Sequence, residues 1–177
     1  MTNEIANYTL ENVTQAHELW ETGDPVRPEL GVKFKTANAR TVYGLKTESG
    51  EYVAFCCVAR TTHVPKDIME LSQFTSAAGE ILVPYTVWSL QKGAGRAIIK
   101  QLLDKVAADS LAHRVVTLSP LTEMARRFHL RNGATEISRN VASANFEYPV
   151  RALHDSDDWY QSTATQDWNC SAYGEPT

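Results

Sequence analysis

Cysteine is scarce in this chain, and its placement excludes a disulfide framework. Three cysteines occur in 177 residues, two adjacent (Cys56, Cys57) and one near the end (Cys170). That spacing fits neither paired bridges nor a metal knuckle. A reducing, cytoplasmic compartment is therefore expected, with Cys56 and Cys57 as small core residues of an apolar strand. Basic excess is missing too. The net charge is −4, so no overall positive field is present to hold nucleic-acid phosphates. No apolar run approaches the roughly 18 residues that a spanning helix needs. The first dozen residues, MTNEIANYTLEN, are polar and acidic, unlike a targeting signal. Nucleic acid and membrane are thus not expected partners, and no metal site is expected.

What is present is a length and an apolar content of 43% that suit one domain with a real core. Residues 6–11 suit a first strand, and Asn12 the cap of a helix with Val13, Ala16, Leu19 and Trp20 on one face. Residues 24–40 are irregular, with room for a second short helix. Residues 41–47 and 51–60 read as a hairpin about Glu48-Ser49-Gly50. Residues 61–79 are ambiguous: Ile68, Met69 and Leu71 suit either a strand or a helical turn. Residues 80–90 are strand-like, but Pro84 implies an edge, a bulge or a splay. The strongest helix spans 93–108, with the stripe Ile98, Ile99, Leu102, Leu103 and Val106. After a buried strand at 115–118 and Pro120 comes a helix capped by Thr122 and stopped by Gly133. Its expected apolar face is Leu121, Met124, Ala125 and Phe128. A final strand or hairpin covers 135–148. The fold class is α+β, a largely antiparallel sheet flanked by helices, over residues 1–150. Residues 151–177 read as an acidic, flexible tail, with Trp159, Tyr160, Trp168 and Tyr173 as possible docking groups.

Two stretches carry chemistry. Gln91, Lys92, Gly93, Ala94, Gly95 and Arg96 place two glycines and two cations between a strand and a helix N-terminus. Backbone N–H groups, the helix dipole and the full charges together suit a pyrophosphate, although the same pattern also makes an ordinary tight turn. Pro84 adds a splay whose free edge could pair with an extended ligand. The second stretch holds His129, late in its helix. An imidazole there can do proton work in a cleft or simply lie at the border of an apolar face. Arg126 and Arg127 read as a solvated face. Neither Ser89 nor Ser119 sits in a nucleophile elbow.

The element order and these motifs resemble the GNAT (acyl-CoA N-acyltransferase) superfamily. Gly93 and Gly95 match the two glycines of its R/Q-x-x-G-x-G/A turn; Leu90 stands at the R/Q position, with Gln91 one residue late. Ala125, Phe128 and Gly133 match a later motif, in which His129 replaces a tyrosine often used as general acid. A narrower likeness is to malonyl-CoA decarboxylase. It rests on four ordered blocks: 95–100 (GRAIIK), 117–120 (TLSP), 128–134 (FHLRNGA) and 145–148 (NFEY). That resemblance implies a catalytic histidine at His129 and a catalytic serine near Ser89. The decarboxylase's helical domain and the long insertion between its later blocks have no counterpart here; Pro120 and Phe128 are eight residues apart. The leading expectation is therefore acyl transfer from acetyl-CoA or another acyl-CoA to an unidentified small-molecule or protein acceptor. Decarboxylation of malonyl-CoA is the alternative, and a non-catalytic binding or assembly role the third reading.

Overall fold

The sheet grows from the hairpin marked by Gly50. Strands β2 (Arg40–Thr47) and β3 (Tyr52–Thr61) pair antiparallel. Gly50 turns between them at φ 92°, a left-handed conformation that favours glycine. The structure is a computed structural model that describes residues 7–150; the tail expected at 151–177 lies outside them. β1 (Tyr8–Asn12) adds antiparallel to β2, and β4 (Ile81–Ser89) antiparallel to β3. β5 (Arg114–Val116) then runs parallel to β4. β8 (Ser143–Tyr148) pairs along one edge with β5 and β6 (Ser119–Pro120), and along the other with β7 (Thr135–Arg139). These strands make one mixed, largely antiparallel sheet of an α+β fold.

Each face of the sheet has its own cover. Helix α3 (Ala94–Asp109) lays Ile98, Ile99, Leu102, Leu103 and Val106 over Leu45, Val58, Leu82 and Val115. Burying each such side chain is worth about 1.5–3 kcal/mol, enough to fix the helix on the sheet. On the opposite face Trp20, Phe55, Tyr85, Trp88 and Leu118 form a second core cluster. Residues 13–36, which include the short helix α1 (Val32–Lys35) for which 24–40 left room, and helix α2 (Ile68–Phe74) cover it. Asp67 caps α2 by accepting from the Glu70 N–H, which resolves the ambiguity of that stretch in favour of helix. Cys56 and Cys57 are fully buried in β3, and burial pushes the Cys57 thiol up to about 12.

Two local expectations are corrected. Asn12 does not cap a helix: its Oδ1 accepts from the N–H and hydroxyl of Thr14, and only a single 3-10 turn, His17–Leu19, follows. Thr14 Oγ1 in turn accepts from the Val42 N–H, so tertiary pairing to β2 wins over local helix. Helix α4 (Glu123–Arg131) does form with the Thr122 cap. It ends with Gly133 at φ 96°, the Gly133 N–H on Leu130 and the Ala134 N–H on His129, which is a Schellman stop. Its inward face is only in part the one expected. Ala125 and Phe128 are half-buried and Phe128 packs on the core, but Leu121 and Met124 are exposed, and the buried side chain is His129. The short helix docks on β7 and β8 through the end that carries His129, leaving its first turn in solvent.

Beneath the second face lies a buried ion pair. Lys35 Nζ stands 2.7 Å from Asp24 Oδ2, each side chain 2% exposed. The ammonium also lies over the rings of Trp88 and Trp20, at 5.4 and 6.0 Å. Thr86 of β4 donates its hydroxyl to the Asp24 carboxylate at 3.0 Å. Asp24 Oδ1 also accepts the N–H groups of Val26 and Arg27. The pair thereby fixes the path of residues 24–27 across the sheet.

Candidate active site

β4 and β5 part almost as soon as they meet. Ladder pairing covers only Ile81 with Arg114 and Leu82 with Val115, and one further bond joins the Leu118 N–H to the Pro84 carbonyl. Pro84 explains the break. It lacks an N–H, and its neighbour Tyr85 is bulged out of register, since Cys57 faces Thr86 while Val58 faces Pro84. Both the bulge and the splay read from Pro84 are present, although the residue lies within the sheet rather than at its edge. Past this point the β5-facing edge of β4 has no strand partner among the described residues. An extended ligand could pair there.

Into the vertex of the splay comes Arg27. Its Nε donates to the Tyr85 carbonyl at 2.6 Å, and its Nη2 to the Leu118 carbonyl at 2.9 Å. Burial lowers the guanidinium pKa, while the nearby Glu29 and Asp24 charges oppose that shift. No sequence signal marks this residue's place, because its acceptors are main-chain carbonyls.

The expected phosphate turn sits at the open end of β4. Gly93 takes φ 80° at the N-cap of α3, so a side chain at this position would strain the backbone. The N–H groups of the first helical turn have no partner within the helix. Gln91, Lys92 and Gly93 are exposed, Ala94 and Gly95 are buried, and Arg96 is half-buried. Leu90, at the position where the resembled turn carries Arg or Gln, points to solvent at 67% exposure. Gln91 instead reaches the Tyr8 hydroxyl at 3.4 Å. Gly95 is the meeting point: a methyl added there would lie 3.2 Å from the Phe128 ring and 3.7 Å from Ser89 Oγ. The fold thus gathers the end of β4, the glycine turn and α4 in one place. Ser89 is there, beside the turn.

His129 lies inside this junction, on Phe146 of β8 in stacked contact at 5.1 Å. Its partner serine is Ser119, not Ser89. Nε2 meets Ser119 Oγ at 2.9 Å and Nδ1 meets the Tyr148 hydroxyl at 2.7 Å. Ser119 gives its own hydrogen to Thr117 Oγ1 at 2.8 Å. That leaves Nε2 as the donor toward Ser119 and Nδ1 as the acceptor from Tyr148. Burial lowers the His129 pKa to about 3, so the ring is neutral near pH 7. What this arrangement offers is a fixed, uncharged N–H donor rather than an imidazolium.

The same burial has a consequence for stability. The unfolded chain takes up a proton at His129 near pH 6.5, whereas the folded chain refuses it down to about 3. Between those values the unfolded state binds more protons, so stability falls as pH falls. The loss from this group is about 2 kcal/mol by pH 5. Urea unfolding at pH 7 and pH 5 is expected to show that difference, and His129→Gln to remove it. An unchanged pH slope in the variant would contradict a buried neutral ring.

No protein-family model matches the chain, and no curated protein matches it. Solved structures do. A GNAT-like decarboxylase, GphF, in complex with isobutyryl-CoA superposes with a TM-score of 0.60 at 16% identity, covering 82% of this chain and 100% of that one. The loading GNATL domain of CurA from Lyngbya majuscula gives 0.56 at 15% identity, covering 81% and 98%. Malonyl-CoA decarboxylase from Rhodopseudomonas palustris gives 0.59 at 16% identity; 90% of this chain is covered and 59% of that enzyme. At such identities the shared property is the fold: the chain has the GNAT-like fold, with a resemblance to the malonyl-CoA decarboxylase structure.

Proposed function

We propose that the chain binds an acyl-coenzyme A and removes the carboxylate of a β-carboxyacyl thioester, malonyl-CoA being the simplest such substrate. The observation that carries this reading is the buried His129 ring held between two hydroxyls, Nε2 on Ser119 and Nδ1 on Tyr148. Acyl transfer through His129 would need the ring to hand a proton to a departing thiolate. With burial holding its pKa to about 3, the ring carries no spare proton near pH 7, and a neutral imidazole N–H is a far weaker acid than a thiol. A neutral imidazole is, however, well suited to polarise a carbonyl oxygen, and triosephosphate isomerase uses one in this way.

In this reading the coenzyme phosphates rest on the turn of Gln91 to Arg96, and the pantetheine arm pairs along the open edge of β4. The Ser119 hydroxyl holds the place that the thioester oxygen takes when substrate enters. His129 Nε2–H then donates to that oxygen. The bond between the α-carbon and the carboxylate breaks, its electron pair passes into the thioester as an enolate, and carbon dioxide leaves. Protonation of the α-carbon by solvent completes acetyl-CoA. In this reading Ser89, whose Oγ lies beside Gly95, holds the coenzyme or the acyl group as it enters. The complex of the similar GphF decarboxylase with isobutyryl-CoA supports an acyl-CoA as ligand.

Acyl transfer is the second reading, because the open β4 edge would present a transferable acyl group equally well. Two incubations test the choice. With malonyl-CoA alone, acetyl-CoA is expected to form without free coenzyme A. Free coenzyme A that rises only when an amine is added to acetyl-CoA would replace this reading with transfer. If saturating malonyl-CoA and acetyl-CoA both leave Tm unmoved, the acyl-CoA site itself is refuted, and the exposed Leu90 would fit a non-catalytic role.

A further inference from the structure

Arg27 has no ion-pair partner among the described residues; Glu29 and Asp24 act on it only as nearby charges. Two of its five N–H donors are used, on the carbonyls of Tyr85 and Leu118. Among the described residues the other three have no hydrogen-bond partner, and no carboxylate lies within ion-pair distance of the group. Asp24, three residues before it, is committed to Lys35 and Thr86. Glu29 acts on Arg27 through its charge alone. The guanidinium is half-buried and partly stripped of water, and it stands at the vertex where the two strands separate. Desolvation of a cation without a counter-ion is costly.

We infer that Arg27 binds a carboxylate of the substrate at the vertex of the β4–β5 splay. The guanidinium fork matches a carboxylate through two parallel charge-assisted bonds. The inference rests on the acyl-thioester reading above, and it adds the specificity element that reading lacks. The carboxylate can belong to the acyl group itself, as in malonyl-CoA, or to an acceptor molecule. For the first source the ion pair exists in the bound substrate and weakens as carbon dioxide departs. Arg27 would then tighten binding and somewhat restrain kcat, so its removal should raise KM without lowering kcat. It is a specificity-determining residue rather than the group that moves the electrons.

The test compares malonyl-CoA and acetyl-CoA binding by the full chain as wild type, Arg27→Gln and Arg27→Lys. Glutamine keeps an N–H donor for one of the two carbonyls, and lysine keeps the charge, so the splay can persist in both. Arg27→Gln is expected to weaken malonyl-CoA binding by about 10–100-fold, the size of one lost charge-assisted pair. Acetyl-CoA binding should change by less than about threefold, and lysine should restore part of the malonyl-CoA affinity. Equal weakening of both ligands would make Arg27 a structural wedge and overturn the inference. Unchanged malonyl-CoA binding overturns it as well, unless the carboxylate comes from the acceptor. That source is read with acetyl-CoA and an α-amino acid or its methyl ester; an Arg27-dependent preference for the free acid supports the inference on the acceptor side, and its absence closes that route. Arg27-dependent malonyl-CoA binding with no acetyl-CoA released would keep the inference and remove decarboxylation. Decarboxylation that is indifferent to Arg27→Gln would do the reverse.

Discussion

Asp24→Ala is expected to cost about 3–5 kcal/mol of folding stability, the toll of breaking one side of a buried ion pair. The carboxylate is 2% exposed and meets Lys35 Nζ at 2.7 Å, so its removal strands an ammonium among Trp20 and Trp88. Three further donors lose their acceptor: the Thr86 hydroxyl and the N–H groups of Val26 and Arg27. Urea unfolding measures the loss directly. The double variant Asp24→Asn with Lys35→Met should recover most of it. Asparagine keeps an oxygen for the turn, and methionine fills the lysine channel without a charge. A single variant that loses under about 1 kcal/mol would show that water or local rearrangement answers the Lys35 charge. The consequence reaches the site, because Asp24 Oδ1 fixes the backbone from which Arg27 projects. Malonyl-CoA binding is therefore expected to fall in Asp24→Ala even at temperatures where the chain is folded.

This pair also marks where the sequence stops being readable. Elements whose signals are local were legible: Gly50 in the hairpin turn, the Thr122 cap, the Gly133 stop, and the apolar stripe of α3. Each is decided within a few residues by backbone freedom or helical period. Apart from the short helix at Val32–Lys35, for which 24–40 left room, residues 13–36 were not legible, because their conformation is set from outside. Thr14 bonds to Val42, and Asp24 bonds to Lys35 and Thr86, partners that no periodicity announces. Asn12 misled for a chemical reason: the same side-chain oxygen that caps a helix also closes a short turn. Of the apolar face expected for α4, Phe128 packs on the core, yet Leu121, just ahead of the helix, and Met124 are exposed, and the buried residue is the polar His129. Hydroxyls ten and nineteen residues away, on Ser119 and Tyr148, satisfy its two nitrogens and make that burial tolerable. Pro84 was the one long-range feature visible in sequence, since its missing N–H must interrupt a ladder wherever it falls.

His129→Ala is expected to lower kcat for malonyl-CoA by about 10²–10³-fold, the effect of removing one oxyanion donor from a dry site. Binding of malonyl-CoA should change by less than about threefold, because the donor is needed when negative charge reaches the thioester oxygen and not before. Two neighbours test the proton arrangement. Ser119→Ala removes the group that holds Nε2–H in the free protein, and kcat should fall by much less than in His129→Ala, since the substrate oxygen supplies a replacement acceptor. Tyr148→Phe removes the donor at Nδ1. The ring could then place its proton on either nitrogen, and part of the population would present the wrong atom to the substrate. Its kcat is expected to lie between those of the other two variants. Because His129 is buried, alanine also leaves a cavity, so each rate is taken per folded molecule at a temperature well below the variant's Tm. His129→Gln separates shape from chemistry further: it keeps an N–H donor within a side chain of similar reach, and should retain more activity than alanine. Equal losses of kcat and of binding in His129→Ala would make the histidine a structural bridge between α4 and β8. A loss confined to kcat would place its N–H on the reacting carbonyl.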